Sequence, residues 1–433
     1  MHFWAGLIGA PIVLFAAITG LVYVFTPQIE SQLYGSLDRV QVGQRLVSLD
    51  TQIAAAQAVV NDRTLRFVVP PHRPEDSTQV YFNAAHRDHD ARAGGQHNHG
   101  LPAGHIVYVN PYTGEVLGQL PELQRFKTWA KKLHSSALQG DGWRWVIELG
   151  ASWMLVLYVS GLVLWWPRAP AQGGRGWRSL VPRLGRGRAS WRDGHAVVAI
   201  VVGLVTVTVL VTGLTWSRHT GARFRAMQQV IGQDAPKPPK LLTSAPGDGP
   251  ALSWQAAWEH ARQHAPDIAM QITAPGHADG VWRVENFDRS QPSGRFSLAL
   301  DGRTGAPLFA AGWEQFPVLA RATAVGIPFH RGEFGLWNQI VLALAALAAA
   351  FSVVSGLVMW WQRRPKGRIA APPLGIEQLR YAPLWLIPLM VALSYAMPVF
   401  GWSLIVLVTL ESVRLAWPRQ RGAHIFNPER RKQ

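Results

Sequence analysis

Four histidines stand out because the chain places them twice over. His2 precedes the Gly of AAITGLVY by 18 residues, and His195 precedes the Gly of VLVTGLTW by 18 as well. His134, in KLHSSALQG, lies 26 residues before Ser160 of SGLVLWW, and His330, in PFHRGEFG, lies 25 before Ser355 of SGLVMWW. A neutral imidazole nitrogen is a metal ligand. Two facing imidazoles at one level, in a chain with no cysteine, are what bis-axial ligation of a non-covalent b-type haem requires. A single histidine at a membrane boundary is ordinarily an interfacial polar residue; four at repeat-equivalent places on two matching levels favour ligation. The expected pairs are His2 with His195 and His134 with His330, because a helix rising about 1.5 Å per residue keeps the two levels roughly 30 Å apart. Two pairs imply two haems b and an electron path across the membrane.

The elements that must position them are apolar. Of the 433 residues, 48% are hydrophobic and 16% charged, which points to a membrane protein. Stretches long enough to cross a bilayer core of about 30 Å are Phe3–Phe25, Trp143–Trp166, Ala196–Trp216 and Leu336–Trp361. A fifth, Ala382–Leu410, is broken by Pro388, Pro398 and Gly401 and reads as a hairpin, giving about six transmembrane helices. Tryptophans at the helix ends fit the interfacial aromatic belt.

The net charge of +16 is a topology signal rather than a nucleic-acid footprint. The loop after the second crossing, the loop after the fourth and the C-terminal tail hold 18 basic residues against Asp193, Glu377, Glu411 and Glu429. By the positive-inside rule these segments and the N-terminus are cytoplasmic, and the two long segments between crossings are periplasmic. With no basic stretch ahead of it, the first apolar segment reads as a retained signal anchor; His2 directly after Met1 leaves open a natural start further upstream.

The two outer segments also match each other. Ser48–Val60 and Leu252–His264 read as capped amphipathic helices. Alternating runs follow at Leu65–Val69, Gln79–Phe82 and Ile106–Val109, and again at Ala269–Thr273, Val281–Asn286 and Phe296–Leu300. Each set reaches a turn, NPYTGEVLG or DGRTGAPLF. The order is the same in both halves, so the repeat is parallel, with a pseudo-two-fold axis along the membrane normal.

The stretches HFWAGLIGAPIVLFAAITGLVYVF, LHSSALQG, WRDGHAVVAIVVGLV, VNPYTGEVLG and the two SGLV-WW ends together resemble the PepSY-associated transmembrane family, which includes inner-membrane ferric-siderophore reductases. The similarity covers roughly residues 1–365; the C-terminal hairpin lies outside it. The resemblance implies two periplasmic α+β PepSY-like domains, b-type haem held by histidines, and reduction of ferric siderophores to release ferrous iron. His2, His134, His195 and His330 stand where the family's motif histidines stand. The organisation expected along the chain is a helix at 1–26, a first PepSY-like domain at 27–133, a helix at 134–167, a cytoplasmic basic loop at 168–192 and a helix at 193–217. A second PepSY-like domain at 218–329, a helix at 330–362, a cytoplasmic loop at 363–380, a hairpin at 381–417 and a tail at 418–433 complete it. The chemistry is outer-sphere: siderophores hold ferric iron with hard oxygen donors and ferrous iron more weakly.

The electron source is outside the chain. No G-x-G-x-x-G follows a strand, and cytoplasmic loops of about 20–25 residues are too short for a roughly 30-residue βαβ unit. A cytoplasmic partner or a membrane quinol must serve. A second candidate site is a loop insertion at 85–105 carrying His86, His89, His97, His99 and His105, whose composition suits divalent metals. Two other readings stay open: a non-redox, membrane-anchored PepSY binding or regulatory protein, and a metal-handling accessory protein built on that loop. Arg125, Lys127, Lys131 and Lys132 form a basic patch before His134, suited to anionic ferric chelates or to lipid headgroups.

Overall fold

The computed structural model describes residues 2–84, 103–165, 185, 187–246, 249–265, 267–364 and 384–416. His86, His89, His97 and His99, most of the basic loop at 168–192, residues 365–383 and the tail from 417 lie outside the described residues, as does the side chain of His2.

The elements, in chain order, are α1 His2–Val24, α2 Thr26–Leu33, α3 Gly35–Asp38, α4 Leu49–Val59, β1 Leu65–Val69, β2 Thr78–Phe82, β3 His105–Val109, β4 Val116–Pro121, α5 Phe126–Ser136 and α6 Arg144–Trp165. There follow α7 Arg188–Val201, α8 Gly203–Leu214, α9 Thr220–Val230, α10 Trp254–His264, β5 Met270–Thr273, β6 Val281–Asn286, β7 Ser297–Asp301 and β8 Pro307–Ala311. The last are α11 Val318–Arg331, α12 Leu336–Arg363, α13 Leu386–Ala396 and α14 Pro398–Ala416.

By length and composition two helices can each cross a bilayer, Asp141–Leu162 and Leu336–Arg363. Two bent pairs raise the number to four if each is one span: Gly9–Val24 with Thr26–Leu33, bent by 48°, and Arg188–Val201 with Gly203–Leu214, bent by 62°. Helix α1 packs against α6 and α12, α7 packs against α12, and α8 packs against α6. The α1–α6 contact is close enough that a Cβ on Gly150 would fall 2.5 Å from Ile12 Cγ2. The C-terminal pair docks on α6, where Trp153 meets Phe400 edge-on at 4.9 Å and donates to Ser403 Oγ at 2.9 Å.

The outer segments differ from the two separate modules read in the sequence. Their strands join into one antiparallel eight-stranded sheet of order β4-β3-β2-β1-β5-β6-β7-β8. The seam is β1 against its repeat equivalent β5, with Val68 opposite Ile272. Pairing the two equivalent edges removes an open edge that each module alone would expose. One core then serves both halves: Leu49, Ile53, Val68, Val80, Phe82, Val107, Ala257, Trp258, Ile272, Trp282, Val284 and Leu298 pack together beneath α4 and α10. The alternation that buries Val80 and Phe82 on that face sends Tyr81 to the other, where Tyr108, Ile106 and Leu120 meet Tyr34 and Leu37. Burial pushes the Tyr81 and Tyr108 hydroxyls well above the usual phenol range.

The two sheet-covering helices cap each other. Ser48 and Ser253 are their N-caps, each accepting from a backbone N–H three residues on. Asp50 on α4 accepts from the backbone N–H of Trp254 and Gln255, at 3.0 and 3.1 Å, while Gln255 accepts from Leu49 N–H at 2.9 Å. Each helix thereby satisfies donors that the other's first turn leaves unpaired.

Sheet and helices are tied by Arg125. Its guanidinium pairs with both Asp38 oxygens, at 2.8 and 2.7 Å, and with Glu30 at 3.2 Å, donates to Tyr108 Oη at 3.0 Å, and lies 4.7 Å from the Tyr34 ring centroid. Burial acts to lower its pKa, but Asp38, Tyr108 and Glu30 hold it above the usual range.

Candidate functional site

His134 and His330 do not begin the spanning helices, as the sequence boundaries at 134 and 330 place them. They end two shorter amphipathic helices, α5 and α11, that come just before. Helix α5 stops at Ala137, whose φ of 50° is left-handed, and the chain turns again at Leu138 and Gly140 before α6. Helix α11 stops at Gly332, φ 73°, and turns at Gly335, φ 85°, before α12. Glycine takes these angles without a Cβ penalty. These turns let each histidine-bearing helix come back over the bundle.

The result is a pair. The His134 and His330 rings lie with centroids 6.5 Å apart and planes at 46°, each half-buried. Each is held by the first helix of its own half of the repeat, at or just before that helix's TG sequence. His134 Nδ1 lies 3.0 Å from Thr19 Oγ1. That hydroxyl already gives its proton to Phe15 O at 2.8 Å, so it accepts and His134 Nδ1 carries the hydrogen. His330 Nδ1 lies 2.9 Å from Val209 O, an acceptor only, so it too is protonated; Thr212 Oγ1, the equivalent of Thr19, is at 3.5 Å. With both Nδ1 atoms donating, Nε2 is the lone-pair nitrogen of each neutral ring. No described residue hydrogen-bonds either Nε2.

The glycine of the second TG pair makes room for its histidine: a Cβ on Gly213 would lie 2.7 Å from His330 Cε1. At the equivalent Gly20 a Cβ would lie 3.5 Å from His134 Cε1, an ordinary contact.

The separation fits a shared metal. A metal–imidazole bond of about 2.0 Å, with the ring centre about 1.2 Å behind the nitrogen, puts the centroids of two axial imidazoles about 6.4 Å apart. The residues present thus suit a bis-histidine haem: two neutral rings in fixed tautomers, at the right separation, among apolar helices.

At the other end of the bundle His195 is half-buried on α7, and its Nδ1 lies 2.8 Å from Ser355 Oγ of α12. Ser355 gives its own proton to Phe351 O at 2.6 Å. His195 Nδ1 is again the donor and Nε2 again the lone-pair nitrogen. Ser355 is the Ser of the second SGLV phrase, so that motif supplies an orienting acceptor, a role its apolar composition hid in the sequence. His2 lies in the first turn of α1. The backbone N–H of His219 bonds Glu148 Oε2 at 2.9 Å.

Of the histidines of the His-rich loop only His105 lies among the described residues. His105 lies on β3 and its Nε2 meets Gln119 Oε1 at 3.0 Å; burial lowers its pKa.

Apolar helices, a duplicated helix-and-sheet unit and paired histidines define a membrane protein of repeated architecture. Over residues 1–363 the chain matches the PepSY-associated TM region, and it belongs to that family. No curated protein matches the chain.

Proposed function

We propose that the protein is an inner-membrane di-haem b electron conduit that reduces ferric siderophores at its periplasmic face. The observation that carries this reading is the His134–His330 pair, with centroids 6.5 Å apart and Nδ1 atoms anchored by Thr19 and Val209. His2 and His195 form the inner pair of the proposal. Bound between such pairs, haem supplies reversible one-electron carriage.

The chain's own residues do the remaining work. Thr19, Val209 and Ser355 hold the histidines in the tautomer that leaves Nε2 for a metal. The apolar helices keep water out, and the two histidine levels set the length of the path. One electron from a cytoplasmic reductase or a membrane quinol reduces one ferric centre, and the siderophore then holds the ferrous ion weakly. In this reading the helices cross six times, with the C-terminal pair as the last two, both termini are cytoplasmic and the sheet is periplasmic. The charge asymmetry between loops supports the orientation.

The test is a reduced-minus-oxidised optical spectrum of the purified full chain, with haem counted per chain as the pyridine haemochrome. Two b haems and haem reoxidation by a ferric siderophore are expected. Haem-free protein from haem-replete cells overturns the proposal and leaves a non-redox PepSY binding protein as the better reading.

A further inference from the structure

The first spanning helix of the second half is broken, and that of the first half is not. Helix α7 ends at Val201, Val202 makes the turn, and α8 leaves at 62° to α7. The break changes the neighbours. Helix α7 lies chiefly along α12, whereas α8 lies chiefly along α6 and α11, the helix that carries His330. His195, bonded to Ser355, comes before the break; Val209 and Thr212, which meet His330 Nδ1, come after it.

A sharp kink has a local cause: a proline, a glycine or a side chain inserted into the helix. No proline lies between Arg188 and Leu214. The break is filled by Tyr158 of α6. A Cβ on Gly203, the first residue of α8, would overlap the Tyr158 hydroxyl and Cζ and lie 2.8 Å from Cε2. Ring and helix backbone therefore touch at Gly203, where any other residue would push them apart.

The first half supplies the comparison. The spacing that relates His2 to His195 and Gly20 to Gly213 makes Ala10 the equivalent of Gly203, and the spacing of the two SGLV phrases makes Val353 the equivalent of Tyr158. With alanine for the glycine and valine for the tyrosine, α1 runs unbroken from His2 to Val24, although Pro11 stands next to Ala10. The outer anchors differ too. Thr19 Oγ1 is 3.0 Å from His134 Nδ1, but its equivalent Thr212 Oγ1 is 3.5 Å from His330 Nδ1, which bonds Val209 O at 2.9 Å instead.

We infer that Tyr158 is a positioning residue for the outer histidine pair. Its ring wedges the span open at Gly203 and sets the angle at which α8 presents Val209 O to His330. The repeat is thereby made unequal, with one straight and one bent first helix around the same pair of rings. The consequence for haem rests on the di-haem reading; the wedge itself does not.

The chain has no cysteine, so spin labels on Ala189→Cys and Val211→Cys, exposed positions on either side of the break, report the bend in the purified full chain by pulsed electron–electron double resonance. At about 1.5 Å per residue the two sites stand about 28 Å apart across a 62° bend and about 33 Å apart on a straight helix. The unsubstituted pair should give the shorter distance. Tyr158→Val with Gly203→Ala installs the first half's residues; it should lengthen the distance by about 5 Å and remove or shift the outer haem, with the inner haem and the thermal midpoint kept. Tyr158→Val alone only removes atoms and should move the same way if the double variant fails to fold. Tyr158→Phe keeps the ring and should read as wild type. An unchanged distance in the valine variants, or a lengthened one in Tyr158→Phe, overturns the inference. So does a lengthened distance with the outer haem full and unshifted, or equal loss of both haems with a lowered midpoint, which marks a merely structural contact. A haem-free wild type whose distance still lengthens on Tyr158→Val removes the di-haem reading and leaves the wedge standing.

Discussion

Gly213→Ala separates the proposed histidine geometry from a merely compact bundle. The new methyl carbon would sit 2.7 Å from His330 Cε1 and 3.3 Å from Nδ1. Ordinary van der Waals contact begins at 3.4 Å, so the ring or helix α8 must yield by about 0.7 Å. The ring is restrained by its 2.9 Å bond to Val209 O, and that bond lies on the same helix as the methyl. Overpacking of this size costs about 1–3 kcal/mol, and a shift of 0.7 Å is a large fraction of a metal–nitrogen bond. The repeat supplies its own control: at Gly20 the equivalent methyl would meet His134 Cε1 at 3.5 Å, an ordinary contact. Haem per chain and the α-band of the reduced spectrum are the assay. Gly213→Ala should lose much of the outer haem or shift its band, while Gly20→Ala stays near wild type. Equal behaviour of the two variants, or full unshifted haem in Gly213→Ala, would refute the reasoning.

Other consequences are as direct. His134→Ala or His330→Ala should remove about half the haem, and retention of both haems in either variant contradicts the pairing. Arg125→Ala leaves buried Glu30 and half-buried Asp38 without their cation and should cost about 3 kcal/mol, read as a lowered thermal midpoint of the full chain. Asp50→Ala removes the acceptor for two first-turn N–H groups of α10 and should cost about 0.5–2 kcal/mol; an unchanged midpoint argues against mutual capping. Asp301 is held down to about 2, chiefly by the Thr304 N–H, against burial, with further help from the Arg303 and Ala245 N–H groups. A carboxylate with a depressed folded pKa stabilises above its unfolded value and loses that contribution as pH falls. The part of acid unfolding that Asp301→Ala removes should therefore lie between about pH 4 and pH 2.

Much of the local structure was legible because it is periodic. The strands at Leu65–Val69 and Val281–Asn286 have the bounds their alternation predicts, and the helix caps at Ser48 and Ser253 stand where the capping residues stand. The strands β4 and β8 were hidden: each follows a turn and pairs at the sheet margin with a register shift, so neither shows a clean alternation. The bend between α7 and α8 was invisible too, since its apolar composition runs straight through Val202.

The sequence by itself carried the membrane class and the repeat, because hydropathy and spacing are properties of the chain read linearly, and it carried the family through stretches of motif that resemble it. Only the tertiary structure decided that the two outer segments share one sheet, since strand pairing between β1 and β5 is a contact across about two hundred residues that leaves no local pattern. It also decided which nitrogen of His134, His195 and His330 is spent on a hydrogen bond. That follows from which neighbour lies within about 3 Å, and a linear sequence does not hold that distance.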